Sequence, residues 1–186
     1  MLRKIELIVR LSNLLKSAEK KFIALLALVI TVLALLNVVT RALNNALFWV
    51  DELLIYTMIW MVLIGSSVMV REKSGIASTF FLEFLSARLQ KLLTHLVDVV
   101  VLLFSVVLAI LCWNWYDLPT LIEVGFDTQK FASSTFNFIY QEPTSTLGLS
   151  KFWIWMVVPL ISVTLSVHSV ANILESLKCS ELESRQ

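Results

Sequence analysis

The sequence is short of the charged residues with which a water-soluble domain covers its surface. Only 16% of its 186 residues are charged, whereas 58% are hydrophobic. Soluble domains carry about 25% charged residues. The mean hydropathy is correspondingly high, at +0.84. Because so little polar surface could not cover this apolar content in water, the composition predicts an integral membrane protein.

Cysteine, proline and glycine are also scarce. The two cysteines, Cys112 and Cys179, lie far apart, which argues against a structural disulfide or a zinc site. With three prolines and four glycines, the chain is poorly supplied with turn residues. Its long apolar runs also lack the alternating pattern of outer-membrane strands. The sequence therefore predicts an all-α membrane protein.

Catalytic and nucleotide-binding motifs are missing as well. The sequence has no P-loop, no glycine-rich nucleotide motif, no Ser/His/Asp arrangement and no cluster of metal ligands. A net charge of +1, from 15 basic and 14 acidic residues, argues against a nucleic-acid partner. We therefore expect no enzymatic activity and no cofactor bound by this chain.

Four segments are long and apolar enough to cross about 30 Å of hydrocarbon as helices. The predicted spans are residues 22–39, 48–70, 92–116 and 151–172. Together with an outer loop at 117–150, they form a four-helix membrane domain over 22–174. Residues 175–186 are then a cytoplasmic tail, and membrane lipid is part of the solvent of the chain.

The positive charges predict the orientation of the spans. Twelve of the fifteen lysines and arginines fall in residues 1–21, 71–91 and 175–186. Cytoplasmic segments carry such an excess of positive charge. We therefore expect both termini in the cytoplasm and five tryptophans at the outer boundary of the membrane. These are Trp49, Trp113, Trp115, Trp153 and Trp155.

Two segments outside the spans have the pattern of interfacial helices. Residues 1–21 place leucines on one helical face and basic residues on the other, which is typical of a helix lying in the head-group region. This helix is either a plain membrane anchor or a docking arm for another subunit. The apolar stretch at 76–85, between spans two and three, predicts a second such helix.

The outer loop is acidic but also rich in phenylalanine. This composition indicates that it packs against something. Two interpretations remain open: the loop caps its own helix bundle, or it forms part of a surface for a partner protein.

Ionisable residues flank the turn between the first two spans. Arg41 follows span one, and Asp51 and Glu52 begin span two, so the three meet at one membrane depth. An ion pair there would fix how the two spans cross. The alternative is direct contact with a substrate or partner.

Two histidines define a competing hypothesis. His95 in span three and His168 in span four are predicted at similar depth, near the inner ends of their helices. Such a pair could ligate a haem in a haem- or quinone-associated membrane anchor of a respiratory enzyme. His95 also lies one turn from Asp98, as a proton relay would require.

The stretch from Asn37 to Ser67 carries a more specific pattern. It contains an Asn-Val-Val-Thr-Arg end of span one, a Trp-Val-Asp-Glu-Leu start of span two, two aromatic residues and a small-residue patch. These elements are Asn37 to Arg41, Trp49 to Leu53, Tyr56, Trp60, and Gly65 to Ser67. Small residues such as Gly65 let another helix approach closely.

This pattern resembles the small membrane subunit of tripartite ATP-independent periplasmic (TRAP) transporters, the DctQ-like family. The four spans, the inside termini and a proline in the last span, Pro159, also match. Three departures stand out: Gly75-Ile76 stands where the family often has His-Ile, the outer loop at 117–150 is long, and Asp51 replaces a common glutamate.

The resemblance implies secondary transport without ATP in the bacterial inner membrane. A periplasmic solute-binding protein would deliver a carboxylate, of the sialic acid or C4-dicarboxylate class, to a large membrane subunit. That subunit would bind sodium and the solute and move as an elevator, and this chain would be its scaffold. The residues expected to serve structure or the subunit interface are Arg41, Trp49, Asp51, Glu52, Tyr56, Trp60, Gly65 and Pro159.

Overall fold

A computed structural model of the chain describes residues 2–74 and 85–183. The helices are α1 Leu2–Ala42, α2 Phe48–Glu72, α3 Ala87–Tyr116, α4 Leu118–Glu123, α5 Thr128–Thr135, α6 Lys151–Trp155 and α7 Val157–Glu183. Four stretches have the length and hydropathy to cross a membrane: Ile5–Ala42, Phe48–Glu72, Leu89–Glu123 and Lys151–Lys178. The predicted all-α fold with four spans is confirmed.

The first helix differs from the predicted division at residue 22. Residues 1–21 were expected to form a helix distinct from span one, but α1 runs without a break from Leu2 to Ala42. Its 41 residues correspond to about 60 Å, twice the hydrocarbon thickness. No glycine or proline interrupts it. The second predicted interfacial helix falls mainly on residues 75–84, outside the described part of the chain.

The last long helix, α7, is the centre of the bundle. It packs against α1, α2 and α3, and α1 also packs against α2. Half of the most apolar stretch of span four is buried, compared with 6% for span one. Hydroxyl groups mediate its contacts: Ser67 of α2 lies 3.0 Å from Thr164, and Ser166 donates to Ser105 of α3. Small polar residues commonly join membrane helices in this way.

The fourth span is divided into α6 and α7 by a break at Met156. The backbone of Met156 stays in the right-handed helical region, and Pro159, which has no N–H, leaves the carbonyl of Trp155 without its usual helical donor. The helix continues past the predicted end at residue 172 to Glu183. Glu175 in this extension binds Arg71 of α2, which explains why the helix does not stop earlier.

The 117–150 loop is folded and packs on its own bundle. The side chain of Phe131 is fully buried, and the Tyr140 hydroxyl donates to the carbonyl of Tyr116 at the end of α3. The rings of Tyr116, Tyr140 and Phe152 pack within 5.1–6.4 Å of one another. Capping of the bundle is therefore part of what this loop does, and a role in binding a partner stays a prediction.

The residues of the small-residue patch in α2 differ in their contacts with the other helices. Ser67 is buried against α7, whereas a Cβ added to Gly65 would meet nothing within 4 Å. Gly65 therefore provides no close approach between helices of this chain. The expected close approach at Gly65 thus remains possible only for a partner helix.

We predict that Gly65→Ala stabilises the isolated chain by about 0.5–1 kcal/mol, because alanine costs less backbone entropy in a helix. The free energy of unfolding in mixed micelles measures this change. The matched control Ser67→Ala loses the contact with Thr164 and lowers stability by about 0.6 kcal/mol. A destabilising Gly65→Ala would contradict the open space at this position.

Candidate functional site: polar clusters at the two ends of the bundle

The predicted ion pair joins Arg41 to Asp51. Arg41 Nη2 lies 2.6 Å from Asp51 Oδ2. Asn37 completes the contact, because its amide nitrogen donates to Asp51 and its amide oxygen accepts from Arg41 Nε at 2.9 Å. We call these three residues the hairpin clasp. Both charged side chains are more than one-third exposed, so the ion pair adds little to the free energy of unfolding. The clasp mainly fixes how α1 and α2 lie relative to each other.

Glu52, next to Asp51, points to a different partner. Its carboxylate accepts backbone N–H groups from Ser145, Thr146 and Leu147, at 2.7, 2.6 and 3.1 Å. The Thr146 hydroxyl and the Tyr56 hydroxyl also donate to it. Consecutive N–H groups pointing at one anion form a nest. We call this contact the Glu52 cradle; it fastens the 117–150 loop to α2.

Two further predicted residues, Trp60 and Trp49, lie at the middle and in the first turn of α2. Trp60 Nε1 donates to the carbonyl of Ile154 at 2.8 Å, in the last turn of α6 next to the helix break. Trp49, in the first turn of α2, is 40% exposed. Trp60 therefore fastens α2 to the divided span, and Trp49 has the exposure expected at a membrane boundary.

A second polar cluster lies at the other end of the bundle, around α7. His168 is fully buried, with Nδ1 2.7 Å from Ser12 Oγ and Nε2 3.0 Å from Glu19 Oε2. Ser12 and Glu19 are also buried. This contact places polar residues of the amino-terminal half of α1 against the bundle, while Leu7 and Leu14 face outward.

Asn172, one turn further along α7, joins α2 and α3. Its amide oxygen accepts from Arg71 at 2.6 Å, and its amide nitrogen donates to the Val70 carbonyl at 2.9 Å and lies 3.4 Å from Asp98. Asp98 is buried and also pairs with Lys73 at 3.0 Å. All four long helices therefore meet at this point.

Arg71 connects the same cluster to its surroundings. Its guanidinium makes a two-point contact with Glu175, at 2.7 and 3.0 Å, and also donates to Asn13 of α1 at 3.0 Å. We call Ser12, Glu19, Arg71, Asp98, His168 and Asn172 the α7 cluster. Sequence reasoning did not single out Glu19, Arg71 or Asn172. The sequence does contain one signal for this cluster: the polar residues His168, Asn172 and Glu175 are three or four positions apart and so share one face of a helix.

The two histidines do not form the predicted haem pair. Both ring nitrogens of His168 are already bonded to protein atoms. His95 Nδ1 lies 3.0 Å from the Lys91 carbonyl and 3.3 Å from Ser176 Oγ. Asp98 binds Lys73 and Asn172, so it is not arranged as a relay with His95. Among residues 2–74 and 85–183, no group of three or more His, Cys, Asp or Glu could hold a metal ion.

Local caps hold the 117–150 loop in shape. Asp127 precedes α5 and accepts the backbone N–H groups of Lys130 and Gln129, both at 3.1 Å, which lowers the pKa of its carboxyl. A lowered pKa means that the charged form stabilises the loop above the ordinary pKa. This contribution is lost as the pH falls through the lowered value. Burial raises the pKa of Tyr140 above its ordinary value, and its hydroxyl is protonated at neutral pH with or without this shift.

These features define a multi-pass membrane protein whose polar side chains are used mainly to join its own helices. A family model described as Tripartite ATP-independent periplasmic transporters, DctQ component, matches residues 30–179. Because this match covers most of the chain, the chain belongs to the DctQ family. The predicted resemblance is thereby confirmed, and the four long apolar helices are those of a multi-pass membrane protein.

A curated relative supports the same conclusion. The C4-dicarboxylate TRAP transporter small permease protein DctQ of Vibrio cholerae serotype O1 (strain ATCC 39315 / El Tor Inaba N16961) is 32% identical over 108 residues. The match covers 58% of this chain and 47% of the relative, so the chain spans about half the length of the curated relative that it matches.

We predict that Glu52→Ala detaches the 117–150 loop from α2, because the three N–H groups lose their shared acceptor. Hydrogen–deuterium exchange of a peptide covering residues 143–150 should become faster. Asp51→Ala is the matched control, since the adjacent carboxylate belongs to the hairpin clasp and should leave this exchange rate unchanged. Unchanged exchange in Glu52→Ala would show that the cradle does not hold the loop.

We also predict that His168→Leu lowers the free energy of unfolding by about 3 kcal/mol, because Ser12 and Glu19 are left buried without their partner. Denaturant titration of the purified chain in mixed micelles measures this loss. His95→Leu replaces a partly exposed histidine and should cost less than about 1 kcal/mol. Equal costs for the two variants would argue against the central role of His168.

Proposed function

We propose that this chain is the small permease subunit of a TRAP transporter and a scaffold for its large, elevator-type membrane subunit. The complex takes up a carboxylate solute that a periplasmic binding protein delivers, and sodium bound by the large subunit drives the uptake. Of the two solute classes, sialic acids and C4-dicarboxylates, the name of the Vibrio cholerae relative favours a C4-dicarboxylate. The chain itself is not an enzyme and binds no cofactor.

One observation carries the proposal: charged groups of the long helices pair with one another, and the buried polar atoms left without a partner in the described residues include single atoms of Glu19, Arg71 and Ser169. Arg41 pairs with Asp51, Lys73 with Asp98, and Arg71 with Glu175. A solute or ion site within a membrane needs free polar groups, commonly at interrupted helices near the midplane. Here the described interruption, at Met156, lies near one end of the span and is covered by Trp60. Such a chain is suited to support rather than to translocation.

The outward surfaces of α1 and α3 fit a scaffold. They present large apolar side chains to the surroundings of the chain, and 6% of the residues in the most apolar stretch of α1 are buried within it. These side chains include Leu25, Leu28, Val32 and Leu35 of α1, and Val100, Leu103, Val107 and Ile110 of α3. Lipid and a large membrane subunit are the partners that such surfaces accept.

The proposed orientation places the α7 cluster at the cytoplasmic side and the 117–150 loop in the periplasm. It follows from the excess of lysine and arginine in the segments near the α7 cluster. The exposed indoles of Trp49, Trp113 and Trp153 then lie at the outer boundary. In this orientation the loop is on the side from which a periplasmic binding protein approaches.

Reconstitution in liposomes tests this function. The chain alone should be inert, whereas the chain, the large subunit and the binding protein together should accumulate labelled dicarboxylate in response to an inward sodium gradient. The control omits this chain and should show little uptake. Accumulation by this chain alone, or full uptake in its absence, would overturn the scaffold assignment.

A further inference from the structure

A groove of about 510 Å³ lies between the end of α3, the 117–150 loop and α6. Four of its eight lining residues are aromatic, and one carboxylate and two amides stand beside the rings. The residues that matter here are Trp115, Phe136, Phe138, Trp155, Glu142 and Asn114. None of the groove's lining residues belongs to the hairpin clasp, the Glu52 cradle or the α7 cluster.

The walls of the groove are held in place by hydrogen bonds. Asn137 in the loop donates to the carbonyl of Trp115 at 2.5 Å. The backbone N–H of Lys151 donates to the carbonyl of Glu142 at 2.8 Å, and the two side chains form an ion pair at 2.5 Å. Trp155 lies one turn after Lys151 on α6. These bonds hold the backbone of the groove walls, while the rings of Phe136 and Phe138 are exposed.

The groove opens where hydrocarbon gives way to water. Trp113, two residues before Trp115, is 61% exposed, and Trp153 on α6 is 60% exposed. Indole rings exposed in this way favour the head-group region of a membrane. Leu111, one turn below Trp115 on α3, is 58% exposed and continues the wall as apolar surface. An occupant of this groove thus meets head groups at one end and acyl chains at the other.

Charges of both signs stand at the groove, because Glu142 is paired with Lys151. A carboxylate surrounded by aromatic faces attracts an ammonium group through charge-assisted hydrogen bonding and cation–π contact. Glu142 disfavours an anionic solute for the same reason. Lys151, paired with Glu142, places a positive charge within reach of an anion attached to that ammonium. Adjacent opposite charges match a zwitterion better than a simple cation.

We propose that this groove binds the head group of a phospholipid with a primary ammonium, such as a phosphatidylethanolamine. The ammonium lies against Glu142 and the rings, the phosphate lies near Lys151, and the acyl chains follow the apolar face of α3 past Leu111. A basic side chain of a soluble partner is the less favoured occupant, because it would leave this apolar face unused.

Lipid retention by the full-length chain tests the proposal without a variant. The chain, purified in detergent, is mixed with equimolar phosphatidylethanolamine, phosphatidylcholine and phosphatidylglycerol, and bound lipids are counted by native mass spectrometry. Retention should favour phosphatidylethanolamine by roughly tenfold, which corresponds to one good polar contact. Equal retention of the three lipids would overturn the proposal.

Variants identify the groove as the place of binding. Glu142→Gln and Trp155→Leu should abolish the preference for phosphatidylethanolamine, and Glu123→Gln, which changes an exposed carboxylate on α4, should retain it. If a variant misfolds, the wild-type preference still decides the lipid class. A preference that persists in both groove variants would overturn the assignment.

Competition separates a lipid from a soluble ligand. Millimolar O-phosphoethanolamine, which has the same head group without acyl chains, should displace less than half of the bound lipid. Complete displacement would indicate a soluble ligand site and overturn the lipid assignment. Binding of the periplasmic protein that is lost in Glu142→Gln, with lipid retention unchanged, would do the same.

Discussion

The bundle depends on pairing the polar groups of α7 away from water. Apolar side chains gain little by leaving lipid for another helix, so polar and small residues decide which membrane helices become neighbours. His168 and Asn172 provide these contacts, the first to α1 and the second to α2 and α3. Because Ser12, Glu19 and Asp98 are buried, a packing that separated them from His168 and Asn172 would leave buried polar groups unpaired. The position of α7 at the centre follows from this constraint.

The opposite end of the bundle is organised by two adjacent carboxylates with separate tasks. Asp51 joins α2 to α1 through the hairpin clasp, and Glu52 joins α2 to the 117–150 loop. The first turn of α2 therefore binds both the neighbouring helix α1 and the 117–150 loop. A partner that binds this loop would act directly on α2, since the loop cannot shift without breaking the Glu52 cradle. The loop is thus mechanically part of the bundle.

Features of the fold that the lipid solvent requires could be predicted from the sequence. Contacts between residues far apart in the chain could not. Lipid requires long apolar helices, so the four spans and the pair between Arg41 and Asp51, ten residues apart, could be predicted. The cradle joins Glu52 to Thr146, and His168 binds Ser12; neither contact leaves a local pattern. The histidines were therefore interpreted as candidate ligands, although His168 is a buried partner of α1.

The continuity of α1 follows from the same buried contacts. An amphipathic segment would normally turn into the plane of the head groups and bury its leucines in lipid. Turning away would separate Ser12 and Glu19 from His168 and leave all three polar groups without a partner. The free energy gained by burying the leucines in lipid would have to exceed this loss. Lys16 and Lys20 add contacts with Glu72 at the end of α2. The amino-terminal half therefore stays with the bundle, and its outward leucines, including Leu7 and Leu14, remain available to lipid or to a partner helix.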